Sequence, residues 1–225
     1  LDGRPAMEGC ETWRFTAGNP EPATDGRLRH RLTWTTPGDL EIACDLTTFA
    51  DAPGAVDWVM HLTNRSAAVS TLIQDIRPLE LELAVTGGDP VLGRSFGSSC
   101  DRRDFLPDEA VITQACDLTV APQGGRSSNG VLPFLRIDGV GGGLVLALGW
   151  SGQWSLSVRR QDGRLRLSAG QELTHLRLEP GESIRTPRIL LVAHDGDADA
   201  GQNRLRRLLL DHYVPRRDGA PVLPP

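Results

Sequence analysis

Apolar and polar residues alternate with a period of two through most of this chain. That period suits only a half-buried β-strand, whose successive side chains leave on opposite faces. Leu40, Ile42, Cys44 and Leu46 point one way, with Glu41, Ala43 and Asp45 the other. Val56, Trp58, Met60 and Leu62 repeat the pattern, with Asp57 and His61 outward. Leu79, Leu81, Leu83 and Val85 alternate with Glu80, Glu82 and Ala84. Trp154, Leu156 and Val158, then Leu165 and Leu167, then Leu176 and Leu178 face inward along 154–178. Leu144 to Leu148 is apolar throughout, as a central strand covered on both faces should be. Ser151-Gly152 and Asp162-Gly163 read as two-residue loops in which glycine supplies a positive φ, and Gly139 to Gly143 reads as a hairpin turn.

About a dozen strands joined by short turns predict an all-β chain, a large antiparallel β-sandwich. One C-terminal α-helix follows. Asp197 and Asp199 lie at its start, Leu205, Leu208, Leu209 and His212 at helical spacing, and Pro215 stops it. The tail from Arg216 has linker composition. The expected division is a sandwich over 1–194, a helix packing on or leaving it over 195–214, and a linker over 215–225. Leu1 in place of an initiator Met and the Pro224-Pro225 end suggest an excerpt of something longer.

Composition narrows the chemistry. Every one of the 24 basic residues is arginine, so neither a lysine Schiff base nor a P-loop lysine is available. Acidic residues number 29, and the net charge of −5 argues against a nucleic-acid partner. No apolar run reaches the roughly 20 residues of a membrane span. Cys10, Cys44, Cys100 and Cys116 contain no CxxC and are far from a disulfide scaffold. Cys44 reads as a buried thiol, and a Cys100–Cys116 bridge is left open. The compartment is open too, with the cytoplasm favoured.

Motifs for chemistry are sparse. There is no GxSxG, and Ser127-Ser128 read as part of an inter-strand loop. His30, His61, His175, His194 and His212 lack metal-ligand spacing. Asp195, Asp197 and Asp199 resemble the start of a calcium loop, but Ala200 replaces its glycine and Arg206 its bidentate Glu, so helix capping is preferred. No metal or cofactor is expected. Glu80 and Glu82 share a solvent face. Asp101 and Asp104, beside two arginines and Phe105, could bind sugar hydroxyls or form a local ion-pair network.

Four segments, in order, carry a resemblance: Gly124-Gly-Arg-Ser-Ser-Asn-Gly-Val-Leu-Pro-Phe134, Leu146-Ala-Leu-Gly-Trp-Ser-Gly-Gln-Trp154, Thr174 to Leu191, and Asn203 to Pro215. Together they resemble the N-terminal domain of bacterial α-galactosidases of glycoside hydrolase family 36. The resemblance covers roughly 55–217 and is specific over 124–215. It implies a supersandwich-like β-domain ahead of a (β/α)8 catalytic barrel, with which it would share one full-length chain. Homo-oligomer contacts and an α-galactoside substrate, reached only through the full-length enzyme, are also implied.

The family is retaining, with two catalytic aspartates on barrel strands about 5 Å apart. Neither maps onto a residue here, so no catalytic residue is assigned and the chain alone is expected to hydrolyse nothing. Loops at 97–107 and 124–130 are the expected substrate rim, with Asp101, Asp104, Phe105, Arg126, Ser128 and Asn129 as candidates. Trp150 is expected in the core. The alternative is an independent carbohydrate-binding β-sandwich. Exposed aromatic platforms would favour it, and only Trp13 and Phe105 read as free for that role.

Overall fold

The computed structural model describes residues 1–23, 25–85 and 87–222. The chain begins with an antiparallel series, β1 (Arg14–Ala17), β2 (Glu21–Pro22), β3 (Arg27–Thr35), β4 (Leu40–Phe49) and β5 (Ala55–Asn64). Next come β6 (Ile73–Gln74), β7 (Leu79–Ala84), β8 (Val91–Ser95), β9 (Pro107–Val111) and β10 (Asp117–Val120). β11 (Phe134–Asp138), β12 (Gly143–Gly149), β13 (Trp154–Gln161) and β14 (Arg164–Gln171) follow. β15 (His175–Leu176), β16 (Ser183–Arg185) and β17 (Arg188–His194) lead to the helix α1 (Ala198–His212) and the short pair β18 (Arg216–Arg217) and β19 (Ala220–Pro221).

Two sheets form the sandwich. The larger runs β1-β3-β4-β5-β17-β12-β11-β8-β9, with β2 on β3 and β16 on β5, and the smaller runs β10-β13-β14-β7. Every pairing is antiparallel in the registers formed. Leu92, Leu135, Ile137, Leu146, Leu148 and Ile189 of the large sheet meet Trp154, Leu156, Val158, Leu165 and Leu167 of the small one. The opposite face of the large sheet carries Phe49, Val145, Ala147, Leu190 and Val192 under Leu205 and Leu208 of α1. Leu144 to Leu148 is therefore buried on both sides, as its continuous apolarity requires.

The helix is capped as its sequence suggests. Asp197 accepts the Ala200 N–H at 2.9 Å, which satisfies an otherwise unpaired first-turn donor. The same helix overturns the outward assignment of Asp57. That carboxylate is 1% exposed, because α1 and its C-cap close over it. Arg188 Nη1 donates to it at 2.7 Å and the Tyr213 hydroxyl donates to its other oxygen. Ala43, also read as outward, is buried.

Other expectations change as well. Asp162 and Gly163 both hold positive φ in the tight β13–β14 hairpin, but Gly152 does not. Its segment carries the chain from β12 in the large sheet to β13 in the small one, so it is a crossover rather than a hairpin. Trp13 is not free: it packs on the cluster of Leu40, Ile42, Leu62, Ile73 and Leu178. All four cysteines are free thiols, so Cys100 and Cys116 do not pair. Cys44 is buried, as its strand position implies. After Pro215, Arg216–Arg217 pairs with Ala220–Pro221 across Asp218 and Gly219, both at positive φ. Pro224-Pro225 lies outside the described residues.

Candidate functional site

The two loops singled out by composition pack against each other at one end of the sandwich. Residues 96–106 join β8 to β9, and residues 121–133 join β10 to β11. The contact is made by backbone groups together with short polar side chains. Ser98 N–H donates to the Ser128 carbonyl at 2.9 Å, and Gly130 N–H donates to Ser99 Oγ at 3.1 Å. Ser99 Oγ also lies 3.3 Å from Asn129 Oδ1, and an isolated bridge joins Phe96 to Val131. Gly97 permits this approach, because a Cβ there would collide with the Ser128 carbonyl.

Each loop is also stiffened from within. Asp104 accepts backbone N–H groups from Ser99 at 3.0 Å, Cys100 at 2.8 Å and Asp101 at 3.2 Å. Its oxygens are thus committed to folding the loop. Asp101 accepts the Arg103 N–H at 2.9 Å and its Nε at 3.2 Å, and these bonds hold its carboxyl below the usual range. The Arg103 guanidinium in turn lies over the Phe96 ring, 5.1 Å from its centre. In the second loop Asn129 Nδ2 donates to the Gln123 carbonyl at 3.0 Å. The buried Trp154 indole donates to the Ser127 carbonyl at 2.8 Å, and Gly125 N–H donates to Gln153 Oε1 at 2.9 Å.

The six candidates therefore divide by role. Asp101 and Asp104 form the local network, while Ser128 and Asn129 make the seam between the loops. Phe105 and Arg126 face solvent. Phe105 is 64% exposed and held at φ 67°, a left-handed conformation that costs a bulky residue about 1–3 kcal/mol. Arg126 makes no side-chain hydrogen bond or ion pair among the described residues. Trp150 is half-buried, packed on the core with the Arg185 guanidinium 5.1 Å from its ring centre.

Sequence reasoning did not find what stands beside Phe105. A hollow of about 540 Å³ opens between α1 and strands β8, β9 and β11, bordered by Phe105, Leu132, Phe134 and Leu209. Arg136 lines it, held by Glu109 at 2.7 Å and by Asp138. The only sequence signal was an arginine between Leu135 and Ile137. Periodicity could not show that α1 would wall off that side.

No family model and no curated protein matches the chain. Solved structures do. The α-galactosidase AgaA of glycoside hydrolase family 36 from Geobacillus stearothermophilus, in complex with stachyose, matches with a TM-score of 0.68 and 16% identity, over 91% of this chain and 30% of that one. AgaB from the same organism matches with a TM-score of 0.71 and 14% identity, over 90% and 30%. The α-galactosidase of Lactobacillus brevis matches with a TM-score of 0.69 and 15% identity, over 90% and 29%. The chain spans about 30% of the length of the structures it matches. These likenesses establish architecture: nearly the whole chain is folded as one part of the family 36 α-galactosidases is folded.

Proposed function

We propose that this chain is the non-catalytic N-terminal β-sandwich module of an α-galactosidase-like glycoside hydrolase. The parent enzyme would release terminal α-galactosyl residues with retention, using carboxylates on its (β/α)8 domain. The module would present the paired loops as a rim beside the active-site mouth and contribute to assembly. The observation carrying this reading is a fold likeness over about nine-tenths of this chain that accounts for under a third of each enzyme. The hydrogen-bonded seam between the loops supports the rim role. A rim element must be rigid to orient a sugar, and Phe105 and Arg126 offer an exposed aromatic and an exposed cation with no ion-pair partner among the described residues.

The test uses the protein extended through its catalytic region. Phe105→Ala and Arg126→Ala should raise KM for raffinose while leaving kcat on a chromogenic monosaccharide glycoside unchanged. Unchanged KM in both variants removes the rim role. The independent sugar-binding reading has one observation in its favour: Phe15 is 53% exposed, with its ring centre 5.3 Å from that of Trp34. Saturable binding of stachyose by this chain, lost in Phe15→Ala, would favour it.

A further inference from the structure

The helix covers only part of the large sheet's outer face. To one side of it a trough of about 1090 Å³ lies open across β3, β4, β5 and β17. Arg27, Arg29 and Arg31 line one bank, two residues apart on β3, so their side chains repeat about every 7 Å on the same face. Arg185 and Arg188 line the other bank, three strand spacings or about 14 Å away. Thr47, Val59, Asp45 and His61 lie between them, and Glu21 on β2 borders the β3 bank opposite Arg29.

The guanidinium groups are held in place with donors to spare. Arg31 Nη1 reaches Asp45 at 2.8 Å and Arg27 pairs with Asp25. Arg188 is fixed from below by Asp57, whose second oxygen is taken by the Tyr213 hydroxyl. Arg185 rests over Trp150. Arg29 makes no ion pair among the described residues. A guanidinium has five N–H donors in a planar fork suited to carboxylates, and each partner here occupies only part of that set.

We propose that this trough docks an extended acidic peptide segment of a partner polypeptide. Side chains i and i+2 of an extended chain share a side and repeat about every 7 Å, which matches the arginine ladder on β3. Successive side chains go to opposite sides, so glutamates along such a segment can reach both banks while its backbone passes over Thr47 and Val59. Asp45 and Glu21 disfavour a polyphosphate, which carries charge at every step, more than a segment whose glutamates are interspersed with threonines facing those carboxylates.

The probe is a fluorescein-labelled peptide of repeated Glu-Glu-Thr-Thr, which sends glutamates to both sides, read by anisotropy at low and high salt, beside its Gln-Gln-Thr-Thr counterpart. The expected result is saturable binding of the Glu peptide, weakened by salt, and none of the Gln peptide. Arg29→Glu with Arg31→Glu on one bank, and Arg185→Glu on the other, should each weaken binding by about ten-fold or more. All three side chains are exposed, and circular dichroism checks that the fold is kept. No saturable binding, or binding unchanged in both variants, overturns the proposal. So does equal affinity for an oligothymidylate of the same charge, which would mark a general polyanion surface.

Discussion

Helix α1 and the paired loops both rest on the same sandwich, yet different chemistry fastens each. The helix is held by side chains. Leu205 and Leu208 enter the apolar face of the large sheet, and the Tyr213 hydroxyl reaches Asp57. His212 Nε2 lies 3.0 Å from both Asp51 oxygens. The loops are held mostly through main-chain groups: a glycine with no room for a Cβ, carbonyls that accept from a serine N–H and a tryptophan indole, and three N–H groups gathered by one carboxylate. Side-chain docking can be altered one contact at a time. Main-chain docking depends on the local trace, so a single added methyl group can open it.

The largest effect should come from Trp154→Ala. It empties a fully buried site and also frees the Ser127 carbonyl, and a buried tryptophan cut to alanine costs about 3–5 kcal/mol. Denaturant unfolding measures the loss, and hydrogen exchange should show loop protection falling more than helix protection. Asp57→Ala should cost about 1–3 kcal/mol, mainly by leaving the Tyr213 hydroxyl unpaired. Arg188 is nearly half exposed and can turn to water, which keeps the loss below that of a fully buried ion pair. Exchange at the end of α1 should rise while the loops stay protected.

Gly97→Ala should cost about 1–3 kcal/mol, as overpacking does, and should separate the loops without disturbing the helix. Equal effects on both regions would erase the distinction drawn here. The smallest effect is alkaline. Burial pushes the Cys44 thiol up to about 11 and the Tyr213 phenol higher still. Both groups ionise first in the unfolded chain. Stability from Cys44 is therefore full below about pH 9 and falls as pH rises toward about 11. Cys44 should resist alkylation at mildly alkaline pH while the exposed Cys100 reacts, which mass spectrometry of labelled peptides will show.

The core face of each sheet was legible, because Leu144 to Leu148 and Trp154, Leu156 and Val158 follow periods that a strand imposes. Asp57 was misread for a physical reason. Alternation says that a residue leaves the core face, but not that a distant helix will cover the other one. Both loops were recognised from their Gly, Asp, Arg and Asn content. Their contact was invisible, since it joins carbonyls and N–H groups that every residue carries. Gly97 differs from its neighbours only by lacking a side chain. The arginine trough stayed hidden because Arg27, Arg29 and Arg31 read singly as the wet side of a strand, and Arg185 and Arg188 lie more than 150 residues away.

The most direct test of the central claim is hydrolysis of a chromogenic α-galactoside by this chain, beside the same protein extended through the following several hundred residues. The account predicts no turnover by the 225-residue chain and turnover by the extension. Hydrolysis by the chain alone, surviving repurification and abolished by substituting one of its own carboxylates, would contradict the account and place a catalytic pair inside the sandwich.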